Sequence, residues 1–129
     1  MHILLDTSVI IDLADVELSV HESAEPAVSA ISIAELAFGL DIDDPIERHA
    51  RAERYQVVRE HFIVLAFDRQ AAEVYGTMAA AIRRAGRSPR PRRMDLQIAA
   101  TAAAHSMPLI TRDLDGFTGL ERLLDVVVV

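Results

Sequence analysis

Short apolar runs alternate along this chain with longer stretches whose apolar residues recur every third or fourth position, and that alternation sets the expected elements. His2–Leu5 is an apolar run halted by Asp6-Thr7-Ser8, after which Val9-Ile10-Ile11-Asp12-Leu13 suits a short helix. Residues 27–31 read as a second strand, and Ser32 heads a helix over 33–40 with Gly39 near its end. Pro45 opens a long helix whose Tyr55, Val58 and Phe62 share one face, and 63–67 follow as a third strand. Asp68 is placed to cap a helix that carries Ala71, Tyr75, Met78, Ile82 and Ala85 on one stripe, and Gly86 stops it. Residues 94–106 are apolar nearly all round, the pattern of a helix buried on two sides. Leu109–Thr111 and 126–129 close the series as short strands.

Strands this short and apolar, alternating with helices, predict the α/β class: a central parallel sheet of four to five short strands flanked by helices. In such sheets ligands bind beyond the carboxyl ends of the strands. At 129 residues the chain is expected to be one domain, 1–129, large enough to fold without a metal or disulfide. Cysteine is absent, which removes thiolate metal sites and a cysteine nucleophile. Lysine is absent too, which removes the phosphate-loop lysine and Schiff-base chemistry. The start lacks the basic, long apolar pattern of a secretion signal, so a cytoplasmic protein with no membrane partner is expected.

Net charge is −7, which argues against indiscriminate coating of nucleic acid. The charge is uneven, however. Arg83, Arg84, Arg87, Arg90, Arg92 and Arg93 follow one another with no acid among them. Such a run is usually a solvated helix end, but clustered arginines also attract phosphate backbones. With no aromatic residues interleaved, a base-stacking platform is not expected.

Four acids fall at expected strand ends or helix starts: Asp6, Glu35, Asp95 and Asp113, with Asp115 two residues further on. If the strands are parallel, these carboxylates can converge at one end of the sheet, where they would repel one another and raise each other's pKa. A divalent cation such as Mg²⁺, which prefers hard oxygen ligands, removes that cost. Each acid also has a plainer role when taken alone. Asp6 suits an N-cap, Ser32-Ile33-Ala34-Glu35 fits a capping box, Asp95 can start its helix, and Asp113 can stabilise a turn. Asp12, Asp41, Asp43 and Asp44 read as surface or turn residues. The five histidines show neither zinc-site spacing nor a link to the acids, and read as structural or solvent-facing.

Four segments together are more specific. Asp6-Thr7-Ser8-Val9-Ile10-Ile11-Asp12-Leu13 resembles the opening motif of PIN-domain ribonucleases, and Ser29-Ala30-Ile31-Ser32-Ile33-Ala34-Glu35-Leu36, followed by Gly39, resembles their second. Arg93-Met94-Asp95-Leu96-Gln97-Ile98-Ala99-Ala100 resembles the third, and Leu109-Ile110-Thr111-Arg112-Asp113 followed by Phe117 the fourth. Order, spacing and length all match, and the resemblance is to the VapC-type toxin branch of type II toxin–antitoxin modules.

The resemblance implies a single PIN-like domain acting as a Mg²⁺-dependent endoribonuclease, with Mn²⁺ as a substitute. It further implies a toxin that is neutralised by a cognate VapB-type antitoxin, forming a homodimer and a toxin–antitoxin hetero-oligomer. The family's acidic positions carry over to Asp6, Glu35, Asp95 and Asp113. In the family the fourth motif often continues to an acid directly before the phenylalanine, whereas Gly116 precedes Phe117 here, so Asp115 takes or shares the fourth role. Asp6, Asp95 and Asp113 or Asp115 are the expected metal ligands, and Glu35 either completes the metal shell or orients the attacking water. Thr7, Ser8 and Thr111 are expected to orient carboxylates or waters, and Arg90, Arg92, Arg93 and Arg112 to contact RNA. Ile10, Leu36, Leu40, Tyr55 and Val58 are the expected walls for an antitoxin helix.

Rivals fit less well. A haloacid-dehalogenase-type phosphatase needs Asp-x-Asp after the first strand, but position 8 is Ser, and a metal-ion-dependent adhesion site needs Ser at position 10, which is Ile. A catalytically silent PIN-fold binding or regulatory module is the alternative from another class, and retention of all four acids argues against it.

Overall fold

The computed structural model describes residues 1–13, 24–113 and 115–129. Among the described residues five strands and five α-helices follow one another in the order β1 (His2–Leu5), α1 (Thr7–Ile11), β2 (Glu25–Ser29), α2 (Ala30–Phe38), α3 (Pro45–His61), β3 (Ile63–Leu65), α4 (Arg69–Arg84), α5 (Arg93–Ala104), β4 (Leu109–Thr111) and β5 (Val126–Val128). The strands form one sheet in the order β3-β2-β1-β4-β5, and every neighbouring pair is parallel. The α/β class and the parallel sheet are as expected, with five strands.

The strand order carries the functional consequence. From β1 the chain winds outward to β2 and β3, then returns to the other side of β1 for β4 and β5. The winding therefore reverses between β1 and β4, the place beyond the carboxyl ends of the strands where sheets of this kind bind their ligands. Asp6 leaves β1 at that point, and its N–H extends the pairing by donating to the Ile110 carbonyl at 2.8 Å.

Period-two alternation divides the core between the two faces of the sheet. Leu4, Ala27 and Leu109 pack with Met78, Leu96 and Ala99 on one side; Ile3, Leu5, Val28 and Ile110 pack with Val9, Ile10, Leu36 and Val58 on the other. α5 buries Leu96, Ile98, Ala99, Ala100, Thr101 and Ala102, as its apolar circumference requires. Its alanines let α4 approach closely. α4 ends where Gly86, at φ +83°, makes a left-handed turn that places Arg87 N–H on the Ile82 carbonyl at 3.1 Å.

Local chemistry moved several boundaries. β2 starts two residues earlier than the apolar run and yields to helix at Ala30, because Ser29 rather than Ser32 is the N-cap: its hydroxyl accepts from Ile31 N–H at 3.0 Å. The expected capping box at Ser32 is not formed. Ser32 is fully buried one turn into α2, with its hydroxyl on Thr7 instead. Asp44, expected as a turn residue, caps α3 by accepting from Ile46 N–H at 3.0 Å. Asp68 caps α4 as expected, on Ala71 N–H. Among the described residues no helix is long and apolar enough to cross a membrane.

Candidate active site at the carboxyl ends of β1 and β4

Asp6 is the anchor. Its side chain is 5% exposed, yet its carboxylate is fully engaged. Oδ1 accepts from Thr7 N–H at 2.9 Å, and Oδ2 accepts from the Ser8 hydroxyl at 3.1 Å and the Thr111 hydroxyl at 2.7 Å. Burying a carboxylate costs free energy unless donors replace its water, and α1's N-terminus with two hydroxyls supplies them. Asp6 is thus both the helix cap read from sequence and a fixed acid at the switch point. Thr111 ties the second strand end to the first: its oxygen also accepts from Asp113 N–H at 3.1 Å, while Ser8 Oγ accepts from Arg112 N–H at 3.3 Å.

Glu35 arrives from α2. Its Oε1 accepts from the Thr7 hydroxyl at 2.9 Å, and that same hydroxyl lies 2.8 Å from Ser32 Oγ. Burial pushes the Glu35 carboxyl above its ordinary pKa; the Thr7 bond opposes this, and the charges of Asp95 and Asp6 add to it. Asp95, in the first turn of α5, is raised in the same way, by burial first and then by the charge of Asp6. Glu35, Asp6 and Asp95 therefore feel one another's charge, as converging carboxylates should.

Asp113 is different. Arg92, from the turn Arg90–Arg92, donates through Nη2 to Asp113 Oδ2 at 2.9 Å and to Asp95 Oδ2 at 3.0 Å. That guanidinium holds the Asp113 carboxyl below its usual range, helped by the backbone N–H groups of Asp115 and Gly116 on Oδ1. Asp115 is exposed and serves this loop through its backbone, which favours Asp113 for the fourth position.

The donor set of carboxylate and hydroxyl oxygens fits a hard divalent cation, which would offset the negative charge that adds to burial in raising Glu35 and Asp95. Among the described residues no three acids or histidines stand close enough together to hold one as the side chains lie. The cation paired with Asp95 and Asp113 is Arg92 itself.

The structure redistributes the arginines. Arg92 is committed to the acids, and Arg112 pairs with Asp12 at 3.3 Å. Arg90 and Arg93 are exposed, with Arg93 Nη1 on the Arg90 carbonyl. His2, His49 and His61 sit near surface glutamates, His105 is exposed, and His21 lies outside the described residues. Of the expected groove walls, Ile10 and Val58 are buried core with Tyr55 packed against that cluster, Leu40 is half-buried, and Leu36, though buried, lines a recess. Ile11, Phe38 and Ile46 are exposed apolar side chains of α1, α2 and α3, and a recess of about 290 Å³ is lined in part by Thr7, Ile11, Glu35, Leu36 and Arg51. Sequence reasoning missed Ser32 as part of the site; a serine on the inward face of an apolar helix was the available signal.

The family model of the PIN domain matches residues 3–123. Among solved structures, a chain of VapBC-5, a member of the VapBC family of toxin–antitoxin systems from Mycobacterium tuberculosis, is 30% identical with a TM-score of 0.79, over 99% of this chain and 97% of that one. Chains of VapBC-1 from nontypeable Haemophilus influenzae (23% identity, TM-score 0.80, 99% and 98% covered) and of VapBC2 from Rickettsia felis bound to a promoter DNA fragment (18%, 0.77, 99% and 98%) share the fold. Comparison with curated proteins finds no match.

Proposed function

The chain belongs to the PIN domain family, in its VapC-type branch, and from that premise we propose that it is a metal-dependent endoribonuclease toxin silenced by a cognate antitoxin. The observation that carries the nuclease reading is the gathering of Glu35 and Asp95 beside Asp6 beyond the strand ends, where burial first, and the neighbouring acids after it, raise the pKa of Glu35 and of Asp95. A fold does not by itself retain such a cost.

Asp6, Asp95 and Asp113 would hold the cation, Mg²⁺ or Mn²⁺, with Glu35 beside them. When bound, a divalent cation polarises a phosphoryl oxygen and lowers the pKa of water. The chain's own groups do the rest. The Thr111 and Ser8 hydroxyls keep the Asp6 carboxylate in one orientation. Thr7 holds Glu35 by one oxygen and leaves the other free to take a proton from the attacking water. The raised pKa of Glu35 suits that task, because a base with too low a pKa holds a proton poorly. Exposed Arg90 and Arg93, at the mouth beside Asp95, would take the RNA phosphates.

The antitoxin would cover the recess beside Glu35, using the exposed Phe38 and Ile46, 81% and 83% accessible, as apolar contacts. The VapBC complexes among the similar structures support such a partner. A homodimer and a cytoplasmic location belong to the same reading.

The test is purified protein with total cellular RNA, with Mg²⁺, Mn²⁺ or chelator, beside an Asp95→Asn variant. Fragmentation is expected only for the unmodified protein with metal. RNA left intact by the unmodified protein under both metals would mean a silent binding module, and fragmentation unaffected by chelator and by Asp95→Asn would exclude the metal-carboxylate reading.

A further inference from the structure

By its position in the arginine run Arg92 belongs with Arg90 and Arg93, facing the substrate. In the fold it turns onto the acids themselves. A single nitrogen, Nη2, serves both Asp95 and Asp113, so the guanidinium uses one of its three nitrogens for two charge-assisted bonds. Nε is buried and meets no acceptor among the described residues. Phe117 supplies the remaining wall, with its ring centre 5.6 Å from the guanidinium carbon. Gly116 makes the pose possible: a Cβ there would overlap both Arg92 Nη2 and the Asp113 carboxylate. The pocket is thus shaped around this guanidinium, although its buried Nε meets no acceptor among the described residues.

We infer that Arg92 is a tethered counter-ion of the acidic centre, so that its guanidinium and a divalent cation are alternative occupants of the Asp95–Asp113 pair. The inference rests on the metal-dependent reading above and adds the regulation of that site. Asp95 Oδ2 and Asp113 Oδ2 each have Nη2 at hydrogen-bond distance, and a second cation at the same oxygens would lie against it. Arg92 must therefore swing out before both carboxylates can turn to a metal. All three side chains are about two-fifths exposed, so solvent weakens the pairing and keeps it displaceable. A doubly charged ion outcompetes a singly charged one at high enough concentration, while in its absence Arg92 limits repulsion among the acids. Cation affinity is set by this competition rather than by the carboxylates alone.

The experiment is titration calorimetry of the full chain, free of partner, with Mn²⁺ as the probe. Arg92→Gln is expected to lower the Mn²⁺ Kd about tenfold, the scale of two partly solvated ion pairs. Arg92→Lys keeps the charge and should stay near the unmodified protein, and Arg122→Gln, on an exposed remote position, controls for net charge. In thermal melts Arg92→Gln should be less stable than the unmodified protein without metal and gain more from Mn²⁺. Equal or weaker Mn²⁺ binding by Arg92→Gln, with binding still abolished by Asp95→Asn, overturns the counter-ion inference and leaves the metal reading standing. No Mn²⁺ binding by any of the proteins overturns both.

Discussion

Asp6 and Thr111 lie 105 positions apart in sequence and share a buried 2.7 Å hydrogen bond. That bond joins the carboxyl ends of β1 and β4 at the point where the winding of the sheet reverses. It also fixes the only buried acid among the described residues.

Replacing Thr111 by Val keeps shape and volume but removes the donor to Asp6 and the acceptor for Asp113 N–H. The expected cost is about 1–3 kcal/mol of stability in chemical denaturation, because a buried carboxylate oxygen loses a partner. Thr111→Ser should recover most of it. Cleavage should fall with Val and return with Ser.

Glu35 and Asp95 give the metal-free protein a defined pH dependence. A folded pKa above the unfolded one means that these groups stabilise the fold when protonated; the effect is complete below the unfolded value and is lost as pH rises through the folded one. Glu35→Gln and Asp95→Asn should therefore raise the metal-free melting temperature at about pH 8 and lose that advantage toward about pH 4. Asp113 has the opposite sign: its lowered pKa contributes stability above the unfolded value that disappears as pH falls through the folded one. Melting curves across this range, with chelator, check both directions. A Glu35→Gln protein destabilised at about pH 8 would overturn this sign for Glu35 and point to its bond with Thr7 as the larger contribution.

The exposed arginines are expected to carry the salt dependence of RNA binding. Neutralising Arg90 and Arg93 together should flatten the slope of log affinity against log salt by about 1.4, at about 0.7 per phosphate contact on a single strand. Arg112→Gln should change it less, since its guanidinium is already paired with Asp12. Filter binding with the Asp95→Asn protein measures this without cleavage.

Phe38 and Ile46 are expected to matter to the antitoxin and not to the fold. Each is more than four-fifths exposed, so Phe38→Asp with Ile46→Asp should leave the melting temperature nearly unchanged. Affinity for the co-expressed antitoxin should fall at least about tenfold, as loss of apolar anchors does. Pull-down and growth rescue by the antitoxin read the effect.

Much of this protein was legible one residue at a time. Short apolar strands are parallel because only a sheet covered on both faces can bury side chains that point both ways, and the runs at His2–Leu5 and Leu109–Thr111 state that directly. Asp6, Glu35, Asp95 and Asp113 stood out because acids placed just after strands or at helix starts gather wherever parallel strands end. Caps were legible only where a single residue competes for the position: Asp68 was clear, whereas Ser29 and Ser32 are both serines near one helix start. What decided between them was burial, since Ser32 faces Thr7 and Ser29 does not.

The partnership of charges belongs to the tertiary structure alone. Nothing in the run from Arg83 to Arg93 distinguishes Arg92 from its neighbours, because a guanidinium can reach a phosphate or a carboxylate equally well. Its choice depends on where α5 starts relative to the loop after β4, on Phe117 at its face, and on the space left at Gly116. Sequence determined which groups can carry the chemistry; the reversal of the sheet between β1 and β4 decided which of them meet, because electrostatic interaction falls with distance and distance across the chain is set only by the fold.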